Sequence, residues 1–391
     1  MRSKRHRGRP VMLLVTPALV GGSWMLIHEL AGRLEPLVET VVAAVGPRTQ
    51  TVPNAKGYRI PWLDYEEYGP RIDRSLLAVL WFEMPLAVLS LLLWAMHRPR
   101  IWLGNGLLSS ALGIIPQKIA GGHLVVSYNA YMAEDNPVRI RLARIAAQYA
   151  SLLLVNSQGS FEDARSFADA PKIRILPLMA DDIFFTDGNP DQLKKELHLE
   201  DRFVVAFVGR LDVEKHCDFV LKVAEVSDPA KTAFVFVGHG PLASQIEDAS
   251  RLLPNVIALG RITDRAKLRD VYQMADVVWS YADETYLAKP AVEALAAGTS
   301  IIVPELPAIA TKAARKAKID PSLVPSAIGR LVSLDDPARI AKLIDELRQN
   351  GQFGREARRR CREYADVNYS LRKSEAVQVE LLELLLGPPS D

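Results

Sequence analysis

The sequence predicts an α/β protein of two parallel-sheet, Rossmann-like domains facing each other across a cleft. Three observations carry this. Short β-branched runs alternate with helical stretches along most of the 391 residues, and strands spaced by helices form parallel sheets with right-handed crossovers. The alternation stops at the polar stretch Asp187-Gly188-Asn189-Pro190 and then restarts. The length also suits two domains at roughly 100–200 residues each. The boundaries expected are residues 10–185 for the first domain and 186–365 for the second. Residues 366–391 hold an amphipathic closing helix that crosses back to the first.

In the first half, Val11–Thr16 reads as a buried strand, followed by a helix opening at Gly21-Gly22 and running to about Leu34. Thr40–Val45, Ile101–Leu103, Leu124–Tyr128, Leu152–Asn156 and Ile173–Leu176 are further strands. Arg139–Tyr149 is a helix, and Ser160-Phe161-Glu162-Asp163 carries a capping signature for the next one. In the second half the strands are Phe203–Val208, Ala233–Val237, Val256–Leu259, Val277–Ser280 and Ser300–Val303. Between them lie helices at Cys217–Val226, Leu242–Leu252, Ala266–Met274 and Val292–Ala297.

Composition narrows the class. With 49% hydrophobic and 24% charged residues the chain is neither disordered nor fibrous. Its net charge of +2 divides into +5 on the first ten residues (Arg2, Lys4, Arg5, Arg7, Arg9) and −3 on the rest, which excludes a nucleic-acid binder throughout. Cys217 and Cys361 are too few for a disulfide framework and lack metal-ligand spacing, which points to a reducing cytoplasm. The apolar run Val11–Val20 behind a basic leader imitates an export signal, but Pro17 and Gly21-Gly22 interrupt it, and a buried strand is the better reading. Leu76–Met96 is long enough to span a bilayer, which needs about 20 apolar residues. Glu83 and Pro85 interrupt it, so a packed helix is expected, with a membrane-surface helix flanked by His97, Arg98 and Arg100 as the alternative.

In open parallel sheets ligands sit beyond the carboxyl ends of the strands, so the residues just after each strand hold the functional candidates. Phe203–Lys215 (FVVAFVGRLDVEK) ends a buried strand in Gly209 and sets Arg210 and Lys215 five residues apart, two cations suited to a diphosphate. Phe234–Ala243 (FVFVGHGPLA) matches G-x-G-x-x-A at Gly238, Gly240 and Ala243. A nicotinamide enzyme would have an acidic residue ending the next strand; Gly260-Arg261 stands there instead. In Val277–Pro304 an acidic loop runs into a helix expected to start at Pro290, with Glu293 in its first turn where a carboxylate can bond a ribose diol.

Together these motifs resemble the donor domain of the retaining glycosyltransferases of family 4, which have the GT-B fold. The family segments G-R-x-x-x-x-K, V-G-x-G-P, A-D and E-A-x-A-x-G correspond to Gly209-Arg210…Lys215, Val237-Gly238-His239-Gly240-Pro241, Ala275-Asp276 and Glu293-Ala294-Leu295-Ala296-Ala297-Gly298. In the first half Gly21-Gly22 looks like the family's phosphate-facing loop, and Leu178–Phe185 (LMADDIFF) resembles its entry to the interdomain linker. Two positions depart. Thr285 stands where the family has the first of its paired glutamates, with Glu284 one residue early, and Leu287-Ala288 then Lys289 follow. Asn129 stands where the family has a histidine.

The resemblance implies transfer of a hexose-type sugar from a nucleotide sugar to a glycan or lipid-linked acceptor, with retained configuration and no dedicated nucleophile. It assigns catalytic roles to Arg210, Lys215 and Glu284. Donor binding is expected of Gly21, Gly22, Asn129, Gly209, Gly240, Arg261, Thr285, Tyr286, Lys289 and Glu293; Lys289, which follows a departure from the family pattern, is the hypothesised third cation toward the diphosphate. The resemblance calls for no metal or other cofactor. The apolar stretch, the basic leader and the helix bearing Arg139, Arg141 and Arg144 together point to a cytoplasmic enzyme peripheral to the membrane. A sugar-nucleotide epimerase of the same architecture and a non-catalytic nucleotide-sugar binder are the alternatives.

Overall fold

The structure is a computed structural model that describes residues 9–16, 30–45, 54–60, 76–105, 107–128, 137–283, 286–306, 318–350 and 355–386. The chain divides into two compact units, Met1–Pro177 with Ser374–Asp391, and Leu178–Lys373.

The first unit is built on β1 (Val11–Thr16), β2 (Glu39–Val45), β3 (Lys56–Ile60), β4 (Ile101–Asn105), β5 (His123–Tyr128), β6 (Leu152–Val155) and β7 (Ile173–Ile175). They pair in the order β3-β2-β1-β4-β5-β6-β7, all parallel. β1 lies inside this sheet with Met12–Val15 fully buried, which explains why its sequence is a continuous apolar run. β3, sequence KGYRI, is an edge strand with only Ile60 buried, and it has no apolar run to betray it. The helix expected from Ser160 is Gln158–Ala164, and its cap is Ser157, whose hydroxyl accepts from the Ser160 amide at 3.1 Å.

Leu76–His97 forms one helix with Pro85 inside it. Leu86 and Leu93 enter the core of the first sheet, whereas Met84, Val88, Leu92 and Met96 are each at least half exposed. Their spacing of four lines them along one face. Among the described residues no helix is long and apolar enough to cross a membrane, and the spanning reading is set aside.

The second unit is built on β8 (Phe203–Val208), β9 (Thr232–Val237), β10 (Val256–Gly260), β11 (Val277–Trp279), β14 (Ser300–Pro304) and β15 (Gly329–Val332), parallel in the order β10-β9-β8-β11-β14-β15. A separate short hairpin, β12 (Ala282–Asp283) with β13 (Tyr286–Leu287), follows β11. The order reverses between β8 and β11, and such a switch point opens the crevice where ligands of this sheet class bind.

The unit boundary falls earlier than expected because Leu178–Phe185 belongs to the second unit. Phe184 is fully buried in its core against Tyr272, and the Ala180 amide donates to the Tyr369 carbonyl. The helix Arg355–Tyr369 also stays there, burying Ala357, Cys361 and Ala365. The last helix, Glu375–Leu386, lies in the first unit, where Arg174 pairs with Glu380 at 2.7 Å and the Arg100 guanidinium donates to the Leu385 carbonyl.

Candidate functional site

The loops after β8 and β9 are stitched together through backbone. The Gly209 amide donates to the Val237 carbonyl at 3.0 Å, the Leu211 amide to His239 at 3.0 Å and the Leu242 amide to Leu211 at 2.9 Å. Gly238 and Gly240 allow this approach. Both have positive φ (151° and 158°), and a Cβ on Gly238 would stand 1.8 Å from the Gly209 carbonyl oxygen, one on Gly240 2.5 Å from that of Leu211. The two glycines that look like a dinucleotide fingerprint thus make room for the neighbouring loop.

That loop positions two cations beside the switch point. Asp212 caps the short helix Val213–Lys215, its carboxylate accepting from the Lys215 amide at 2.9 Å. Burial raises the Asp212 pKa, against the opposing pull of Arg210 and Lys215. The half-exposed Arg210 guanidinium is held by the Asp212 carboxylate and by Glu214 at 2.7 Å. Lys215 lies over the Tyr281 ring, its Nζ 4.4 Å from the centroid. Asp212, Glu214 and Tyr281 escaped the sequence reading, although two of them stand between the two cations it picked out.

A second cluster lies inside the unit. The helix after the hairpin runs Lys289–Ala296, so it begins one residue before Pro290. Glu293 therefore falls in the second turn rather than beside the free amides of the first. It is buried, one oxygen accepting from Arg265 at 2.9 Å and the other from the Tyr272 hydroxyl at 2.9 Å. Arg265 also binds Asp181, its Nε donating at 2.8 Å, and stacks on Phe184 at 4.5 Å. Burial works against the Arg265 charge, but Glu293 and Asp181 outweigh it and raise the guanidinium pKa further. Burial, then the Glu293 carboxylate, holds the Tyr272 phenol well above its ordinary pKa.

Lys289, expected as a third cation for the diphosphate, is turned inward to this cluster. Its ammonium donates to the Met179 carbonyl and stands 3.9 Å from Asp181 and 4.0 Å from Glu293, with 9% of the side chain exposed. Such partners offset the hydration that a buried ammonium loses. Two acids and two bases thus close a neutral quartet that fastens residues 179–181 to two helices.

The remaining expected residues are dispersed. Arg261 is exposed just beyond β10, the strand farthest from β11 on its side of the sheet. Tyr286 is half-buried in the hairpin opposite Asp283. Gly21, Gly22, Asn129, Glu284 and Thr285 lie outside the described residues. Among the described residues no group of three or more His, Cys, Asp or Glu side chains gathers as a metal site would require. Both cysteines are free and buried, and burial pushes the Cys217 thiol up to about 12.

Two parallel, Rossmann-like α/β sheets match the fold of solved GT-B glycosyltransferases. Anabaena HepE, solved with UDP and glucose, shares it at a TM-score of 0.72 and 17% identity over 96% of this chain and 100% of that one. Sucrose-phosphate synthase from Thermosynechococcus elongatus does so at 0.69 and 17%, over 96% and 98%. Residues 189–367 match the family model described as glycosyl transferases group 1. A D-inositol 3-phosphate glycosyltransferase of Mycobacteroides abscessus is 31% identical over 166 residues, 39% of this chain and 36% of that protein. The chain thus aligns with about a third of the length of that curated relative.

Proposed function

We propose that the protein is a retaining glycosyltransferase of family 4 that moves a hexose-type sugar from a nucleoside diphosphate sugar to a glycan or lipid-linked acceptor. The observation that carries this reading is the pair Arg210 and Lys215, set by the loop after β8 beside the switch point and locked to the V-G-x-G-P loop through backbone. Departure of the diphosphate separates charge, leaving a cationic sugar ring and a growing negative charge on the leaving group. Fixed cations aimed at that charge stabilise the transition state.

In this reading Arg210 and Lys215 meet the diphosphate without a metal. The family resemblance assigns Gly21-Gly22 to the phosphates and Glu284, Thr285 and Asn129 to the donor sugar. It assigns the ribose to Glu293, whose carboxylate in this structure is buried and bonded to Arg265 and Tyr272. Retention follows from the resemblance to family 4, in which the acceptor attacks from the face that the leaving group departs. Thermal melting against a panel of UDP-, GDP-, ADP- and dTDP-linked hexoses tests the function. One donor class should raise the melting temperature, since binding to the native state alone stabilises it by about 2.7 kcal/mol at a hundredfold excess over Kd. No shift with any of them overturns the reading.

The acceptor side is proposed to meet the cytoplasmic face of a membrane. The support is the exposed row Met84, Val88, Leu92, Met96 and the cations Arg98 and Arg100 at its end. Apolar side chains on a helix bordered by cations suit an anionic bilayer surface. Full-length protein should pellet with phosphatidylglycerol vesicles at low salt, and Leu92→Glu with Met96→Glu should leave it in the supernatant. A wild-type protein that stays in the supernatant removes the membrane from the proposal.

A further inference from the structure

We propose that Tyr281 is a positioning residue for Lys215, its ring seating the ammonium that faces the leaving diphosphate; the inference rests on the glycosyltransferase reading above. Tyr281 comes two residues after β11, across the switch point from the loop after β8. Its ring touches both ends of that loop. Lys215 Nζ stands 4.4 Å from the ring centroid, and the Tyr281 hydroxyl and Cε1 lie 3.2 and 3.3 Å from where a Cβ on Gly209 would be. The ring is set by the sheet: the Ser280 amide donates to the Ile302 carbonyl at 2.9 Å, and the Tyr281 carbonyl accepts from the Ala288 amide at 3.2 Å.

Arg210 is held by two anions, Asp212 and Glu214. A ring face attracts a cation through its quadrupole, so the Tyr281 ring adds to the Lys215 ammonium an orienting contact from the β11 side of the switch point. Burial, followed by the nearby Asp212 carboxylate, raises the Tyr281 phenol pKa, so the seat itself stays neutral. The sequence hid this partnership because the two residues are remote in the chain and meet only through the pairing of β8 with β11.

The test is a double-mutant cycle on the full chain, read as hydrolysis and transfer of whichever nucleotide sugar in the panel gives the largest thermal shift. Tyr281→Leu is expected to lower kcat about tenfold with KM changed less than about twofold, while Tyr281→Phe, which keeps the ring, restores most of the loss. In a Lys215→Ala background Tyr281→Leu should have no further effect, because the ring then has nothing to aim. A packing role would instead depress both backgrounds alike. The inference is overturned if Phe is as damaging as Leu, if Leu is harmless, or if the loss persists without Lys215. If Lys215→Ala itself keeps wild-type turnover, Lys215 has no catalytic role and this inference falls, while the glycosyltransferase reading stands; if no donor in the panel shifts the melting temperature or is turned over, it is the function reading that fails.

Discussion

Replacing Arg210 or Lys215 with alanine is expected to lower sugar transfer about 10²–10³-fold while the protein remains folded. The size follows from the charge that each cation meets: removing a single donor from a developing oxyanion raises the barrier by about 2.7–4 kcal/mol. The fold survives because neither side chain belongs to the apolar core and each leaves Asp212 the other cation as a partner. Arg210 is 47% exposed, as is Glu214, and an exposed pair of this kind contributes about 0.2–1 kcal/mol. Steady-state turnover with the donor chosen by the melting panel, beside a melting curve for each variant, separates the two effects. Wild-type turnover in both variants would sink the assignment.

The largest effect on stability is expected from Glu293→Ala. This change removes the acceptor of the buried Tyr272 hydroxyl and one of the two acids facing Arg265 and Lys289. Breaking a buried ion pair from one side costs about 3–5 kcal/mol, since a charge is left without its partner. For a unit of this size that corresponds to a fall in melting temperature of about 10 °C. Lys289→Met should cost less, because Arg265 still faces both carboxylates and the methionine side chain fills a similar space. Equal melting temperatures for the wild type and Glu293→Ala would show that the quartet does not hold residues 179–181 in place.

The sheets were readable because their strands are buried on both faces and so appear as unbroken apolar runs, Phe203–Val208 and Thr232–Val237 most clearly. β3 and β15 were not readable. KGYRI and GRLV close the sheet edges, are only partly buried, and carry too little apolar signal. The cations of the site were legible because they follow a strand directly and lie within one short loop. Their partners were only half so. Asp212 and Glu214 are neighbours in sequence, whereas Tyr281 becomes a neighbour only when β11 pairs with β8. The quartet was the least legible feature, since Asp181 and Arg265 are 84 residues apart and look like ordinary surface charges until the helices pack. For the same reason Lys289 read as a ligand-facing cation, its burial being a tertiary fact.

The return of Glu375–Leu386 to the first unit bears on how the chain is made. A ribosome releases the strands of the first sheet early but supplies their closing helix only after the whole of Leu178–Lys373. The second unit is continuous and can complete its core during synthesis, as domains generally fold as units. The first unit must wait, with Arg100 and Arg174 still lacking the partners that Glu375–Leu386 provides. The half of the protein that begins first is therefore the half that finishes second.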